Sequence, residues 1–291
     1  IRKSLSFCFS WGMKFFSFVF CLYFFLLPLQ LALSPVEGVD LASIRVITML
    51  LVGIWLVFGL VSRKILFPDL IATFFLTGFL FLSFGSILWS ENGGFALRKS
   101  LFFLSFFPLF FIFSSLFKEK SETRTLFLKY FVFGAGILAV IGITLFLLQF
   151  LLGIEKVFIF LVETVLPLFL GPAFAQSVAT HPSLLVNIAG ETILRASGVF
   201  PDPHMFSLYL GMALPVTIGF FLEAPFLRQK RAWTGLFLVL LLGVLLSFSR
   251  GAYVAIVAGL SILFFVSGAW RSLGFSQKWA GLAGGLLFLV I

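Results

Sequence analysis

Polar residues in this chain are spaced so that short charged stretches separate long apolar runs. The runs lie at about 15–34, 46–61, 70–89, 101–117, 130–152, 205–222, 233–248 and 252–269, and a last one at 280–291 ends with the sequence. Each of the first eight approaches or exceeds the length of helix that crosses a bilayer core. None alternates apolar and polar positions with a period of two, so helices are expected rather than the strands of a barrel. The pattern predicts an all-α fold: a polytopic transmembrane helix bundle with eight complete spans and a truncated ninth, forming one domain over 1–291. Because the chain opens without Met and stops inside an apolar run, it reads as a fragment of a longer protein.

Composition agrees with this solvent assignment. Hydrophobic residues make up 61% of the sequence and charged residues only 11%, against about 25% charged in a soluble domain. The 44 phenylalanines exceed what a soluble core of this size can pack, whereas a lipid-facing helix accepts them. The first run is too long and too poor in small residues near its end to be a cleaved signal peptide, so it is expected to stay as an anchor. Cys8 and Cys21 are the only cysteines, which excludes a disulfide framework.

The net charge of +9 raises nucleic acid as a partner, but the distribution of basic residues accounts for it otherwise. With a cytoplasmic amino terminus, the inner segments hold 14 of the 20 Lys and Arg residues, including Arg228, Lys230 and Arg231. The outer segments keep Arg45, Arg98, Lys99, Lys156, Arg195 and Arg250. This asymmetry is what the positive-inside rule demands, and no nucleic acid is expected. The run 157–175 is long enough to cross, but a crossing there would reverse the charge bias downstream. Glu163 and Pro167 in its middle also weaken a spanning helix. The segment 153–204 is therefore expected on the outer face, with an interfacial or re-entrant helix.

Two outer arginines beside apolar spans are the leading site candidates. Arg195 opens the run Arg195-Ala196-Ser197-Gly198-Val199-Phe200-Pro201-Asp202-Pro203-His204, where two prolines and a glycine break regular structure just before a span. Arg250 follows Ser247-Phe248-Ser249 in a connection of about three residues between two spans. A guanidinium is permanently charged and presents a planar fork of donors, which suits a phosphate or diphosphate. The competing reading is that both arginines snorkel to the interface. His181 and His204, the only histidines, are candidates for a general base on an acceptor hydroxyl, or else cap and surface residues. Asp202 orients His204 or caps the following helix. Glu155, Glu163 and Glu191 form no metal-ligand spacing with the histidines. No phosphate-binding loop or dinucleotide fingerprint is present, so no metal or other cofactor is expected.

The sequence Arg195…Gly198-Val199-Phe200-Pro201-Asp202-Pro203-His204 before one span, with Ser249-Arg250-Gly251-Ala252 after the next outward span, resembles the O-antigen ligase and polymerase family. Leu88-Trp89-Ser90-Glu91 resembles an early segment of the same family. Asp202-Pro203-His204 departs from the Asn-Pro-Asn common there, and the family's large outer loop, which supplies a histidine proposed as general base, would lie beyond residue 291. The resemblance implies transfer of a glycan from an undecaprenyl-diphosphate carrier to a hydroxyl on a glycan, lipid or protein acceptor, at the outer side of the bacterial cytoplasmic membrane. It further implies that Arg195 and Arg250 grip the carrier diphosphate, where fixed cations offset the charge that develops on glycosidic cleavage. The alternatives are a small-solute transporter, disfavoured because the spans hold few ionisable residues, and a structural membrane scaffold.

Overall fold

The computed structural model describes residues 18–36, 39–62, 70–119, 121–180 and 182–266. It is dominated by helices: α1 (18–26), α2 (Ser43–Ser62), α3 (Leu70–Gly85), α4 (Gly93–Glu119), α5 (Ser121–Leu152), α6 (Ile154–Phe160), α7 (Leu166–Leu170), α8 (Pro172–Ala179), α9 (Pro203–Glu223), α10 (Leu227–Leu246) and α11 (Arg250–Val266). Among the described residues, six stretches are long and apolar enough to cross a membrane: Ser43–Val61, Leu70–Trp89, Gly93–Ser114, Glu122–Leu152, Pro203–Glu223 and Leu227–Leu246. A seventh, Arg250–Phe265, is apolar but shorter. The chain is thus a helical, multi-pass membrane protein. The run at 280–291 lies outside the described residues.

The first apolar run differs from expectation. Its described helix ends at residue 26, a turn follows at Leu27-Pro28, and the chain continues into strand β1 (Ala32–Val36), paired with β2 (Val39–Ala42). Pro28 explains the stop, since it has no amide hydrogen and disfavours helical geometry at the residue before it.

The chain divides into two compact units, Ile1–Phe24 with Ala42–Lys129, and Phe25–Leu41 with Tyr130–Ile291. In the first, aromatic packing and a few hydroxyl bonds hold the helices. Phe20 is fully buried and lies edge-on to Phe113 at 5.1 Å between centroids, with Phe127 at 5.3 Å. The Tyr23 hydroxyl lies 3.1 Å from Thr48 Oγ1, and Ser100 Oγ donates to the Ser83 carbonyl at 2.9 Å, tying α4 to α3. Trp89, in the 3-10 turn Ser86–Trp89 after α3, is 79% exposed.

The second unit contains the candidate site. The 157–175 run does not form one spanning helix. Gly153 (φ 87°) and Gly171 (φ 91°) adopt backbone geometry that essentially only glycine tolerates, and a π-turn at Leu161–Val165 separates α6 from α7. The resulting short helices bury Val157, Leu161, Leu166, Ala175 and Val178 against Leu145 of α5 and against Leu184 and Leu194. Exposed Glu163 occupies the π-turn. A hairpin that the apolar pattern does not foreshadow follows: β3 (Leu185–Ile188) pairs antiparallel with β4 (Glu191–Leu194) around Ala189 (φ 54°) and Gly190 (φ 93°). Both corner residues have the positive φ of a type I′ turn.

Packing of α5, α9 and α10 centres on Phe206. Its fully buried ring occupies a recess left by Gly142, Gly198 and Gly243. A methyl group at Gly142 would approach the Phe206 ring to 2.6 Å and the Gly198 amide nitrogen to 3.2 Å. Gly142→Ala is therefore expected to destabilise the protein by about 1–3 kcal/mol through overpacking. Gly235→Ala on α10, where a Cβ meets nothing within 4 Å, is expected to be neutral or slightly stabilising. Thermal unfolding of the two variants in detergent tests this, and equal midpoints would refute the socket.

Candidate functional site

The segment from Leu194 to Val199 is non-helical yet buried throughout. Irregular backbone in a membrane protein requires internal partners for its polar groups. Gln149, 6% exposed near the end of α5, supplies two of them. Its Oε1 accepts from the Leu194 amide at 2.7 Å and its Nε2 donates to the Leu194 carbonyl at 2.9 Å, so the side-chain amide pairs as a neighbouring strand would. The Arg195 amide donates to the Leu184 carbonyl and the Ala196 amide to the Leu246 carbonyl, at 2.9 and 3.0 Å. The second of these occupies a carbonyl at the end of α10 that the helix itself leaves unpaired.

Arg195 is 8% exposed, and its guanidinium is committed to backbone. Nε donates to the Ser247 carbonyl at 2.7 Å, Nη1 to the Ser183 carbonyl at 2.9 Å and Nη2 to the Phe248 carbonyl at 3.2 Å. A cation on the last carbonyls of a helix also complements the helix dipole. Three of the five guanidinium N–H groups are thereby used, two of them on the α10–α11 connection. That connection carries backbone strain: Phe248 sits at φ 49°, a left-handed position normally filled by glycine after a helix. The Arg195 bonds on either side of its peptide hold it there. Burial pulls the Arg195 pKa below the ordinary arginine value, opposed by the nearby Asp202 carboxylate; an arginine so placed stays protonated.

Pro201 and Pro203 bracket Asp202, which ends the extended stretch as the N-cap of α9: its Oδ1 accepts from the His204 amide at 2.7 Å. Asp202 therefore caps the helix that carries His204. The exposed His204 ring turns to the α10–α11 connection, where Nδ1 lies 2.7 Å from Ser249 Oγ. Ser249 is 1% exposed, and with the hydroxyl engaged at Nδ1 the remaining ring nitrogen, Nε2, is the one left for other chemistry. Arg250 follows as the first residue of α11 and is exposed.

The structure thus joins the Arg195–His204 segment to the Ser247–Arg250 turn through two separate side chains, and Arg195 binds a carbonyl two residues before Arg250. Sequence reasoning did not single out two residues of this arrangement: Ser249, the partner of His204 on the turn, and Gln149, which ties Leu194 to α5. The signal for Gln149 was its polarity inside an apolar run. Glu155, Glu163 and Glu191 are exposed on α6, the π-turn and β4, and His181 lies outside the described residues. Among the described residues, no group of three His, Cys, Asp or Glu side chains is placed to hold a metal ion.

Arg195→Met should leave three carbonyls without their donor, two of them beside a strained residue, and is expected to lower stability by at least about 2 kcal/mol. Arg195→Lys should recover part of that loss, because an ammonium group reaches fewer of the three acceptors. Unfolding midpoints in detergent give the ranking, and a Met variant as stable as the parent would show that the contacts contribute nothing. No protein-family model matches this chain, and no curated protein or solved structure matches it.

Proposed function

We propose that this chain is an O-antigen ligase-like glycosyltransferase of the bacterial cytoplasmic membrane. It moves a glycan from an undecaprenyl-diphosphate carrier to an acceptor hydroxyl at the outer face, in cell-surface polysaccharide biosynthesis. The observation that carries this reading is the convergence of Arg195, His204, Ser249 and Arg250 on one turn at the end of an apolar bundle. A lipid-linked diphosphate presents its charge at that level of a membrane, with its prenyl chain beside the helices. With a cytoplasmic amino terminus and a crossing by each of the seven apolar runs that precede it, the turn falls on the outer side, the side that the bias of basic residues favours.

In this mechanism the acceptor oxygen attacks the anomeric carbon as the bond from that carbon to the diphosphate oxygen breaks. The bonding electron pair leaves on the diphosphate. Arg250, exposed beside the turn, takes the developing negative charge through its planar fork. Arg195 adds positive charge from behind the turn, with two N–H groups beyond those spent on carbonyls. The acceptor proton passes to a base, for which His204 is the candidate among the described residues. Ser249, accepting from Nδ1–H, leaves the Nε2 lone pair to receive that proton. No metal or nucleotide enters the scheme.

In the full-length protein, Arg250→Lys keeps the charge and loses the fork, and glycan transfer should fall roughly tenfold. Arg250→Ala should fall further, about a hundredfold or more, with membrane insertion unchanged. Undiminished transfer in the Ala variant would reduce Arg250 to an interfacial anchor. Orientation is tested separately, in a background with Cys8 and Cys21 replaced. An impermeant thiol reagent should label Ser177→Cys in intact spheroplasts and should reach Gln229→Cys only after lysis. The reverse pattern would invert the bundle and remove the outer-face assignment.

A further inference from the structure

At the opposite end of α9 and α10 from His204 and Ser249, a second group of cations stands on α10 just before the residues that line an apolar recess. An open groove of about 500 Å3 runs between α5 and α10, walled by Phe133, Gly136, Val140, Trp233, Leu236 and Val239 among others. Its volume lies within the range of sites that hold small organic ligands. Gly136 lets the two helices approach, since a Cβ there would meet Leu236 Cδ1 at 2.7 Å. Trp233 forms the floor of one end, stacked against Phe220 at 4.8 Å and against Phe133 at 5.7 Å between ring centroids. Phe133 and Val140 remain about half exposed, so the groove opens toward whatever surrounds the helices.

Arg228 and Lys230 stand on the first turn of α10, three to five residues before Trp233, and Arg231 follows them. Side chains on a helix lean toward its amino terminus and meet neighbours three and four positions away. Arg228 is thus aligned with Ala232 and Lys230 with Trp233, both of which line the groove. Lys230 Nζ also lies 5.7 Å from the centre of the Phe221 ring, which draws it to the same end of α9. From residue 203 onward Glu223 is the only carboxylate in the sequence, against three cations in this short stretch.

We infer that this groove is a binding site for one anionic phospholipid, with a headgroup phosphate held by Arg228 and Lys230, Arg231 adding positive charge at the same end of α10, and an acyl chain lying along Trp233, Leu236 and Val140. The two halves of such a lipid match the two halves of the site: a phosphodiester anion against the cations, and a hydrocarbon chain against an exclusively apolar wall. Juxtamembrane cations bind anionic lipid surfaces in proportion to their number, and the groove fixes one such contact to one place. The inference does not rest on the glycosyltransferase reading, because it involves the other end of the bundle and none of its residues.

Trp233 supplies the probe. In the full-length protein with Trp11, Trp55, Trp89, Trp270 and Trp279 changed to Phe, the remaining indole reports on the groove. The variant is reconstituted in phosphatidylcholine vesicles carrying acyl-brominated phosphatidylglycerol or, at the same mole fraction, acyl-brominated phosphatidylcholine. Phosphatidylglycerol should quench Trp233 with an apparent affinity roughly tenfold higher than phosphatidylcholine. The preference should vanish in R228Q/K230Q/R231Q and weaken as salt is raised, and Val140→Phe should reduce quenching by both lipids. Equal quenching by the two lipids, or a preference that survives loss of the three cations, would overturn the proposal. Should the five replacements prevent folding, the same comparison is read on the parent protein and on R228Q/K230Q/R231Q by native mass spectrometry. There, retained phosphatidylglycerol on the parent alone supports the site, and equal retention refutes it.

Discussion

The bonds from the Arg195 guanidinium to backbone carbonyls hold the candidate site together. A buried cation is costly unless surrounded by acceptors, and this one finds them on the 3-10 turn before β3 and on both sides of a strained peptide after α10. The arrangement satisfies carbonyls that a helix end leaves unpaired and holds Phe248 in a left-handed conformation it would not keep alone. It also fixes where α11 begins. The positions of Ser249 and Arg250 therefore depend on a residue more than fifty positions earlier in the chain.

Gln149 provides the complementary anchor from α5. With its amide paired to Leu194 opposite the edge that β3 occupies, the start of the extended segment is held on both sides. Asp202 then ends the segment by capping α9. Three polar side chains of modest size thus convert a stretch of non-helical backbone into a rigid connector between helices. Each does so by meeting main-chain atoms, so a substitution at any of them changes backbone geometry as well as local charge.

Much of the helical architecture was legible because apolar runs in a membrane protein leave the backbone no alternative to helix. The 195–204 segment was legible as a break because Pro201, Pro203 and Gly198 cannot continue a helix comfortably. Asp202 was legible as a cap from its place before an apolar run. The pattern did not reveal the β3–β4 hairpin, whose strands are four residues each and carry no clear alternation. Nor did it reveal the end of the first helix, where apolar residues on both sides of Pro28 hide the change of direction. Ser249 was seen only as part of a motif, since its bond to His204 joins positions 45 residues apart and depends on how α9 and α10 pack. The same holds for Arg195: its side chain reads as free to meet a ligand until the fold brings three carbonyls to it.

The Phe206 socket has a mechanical consequence. A ring seated among Gly142, Gly198 and Gly243 acts as a detent, resisting translation of α9 along the bundle unless the ring first withdraws. Sliding of α9 by a fraction of a turn would drive its aromatic edge into backbone on both sides. The height of the helix within the membrane is thus set about half a turn below His204, and the imidazole keeps its level even when its own hydrogen bond opens.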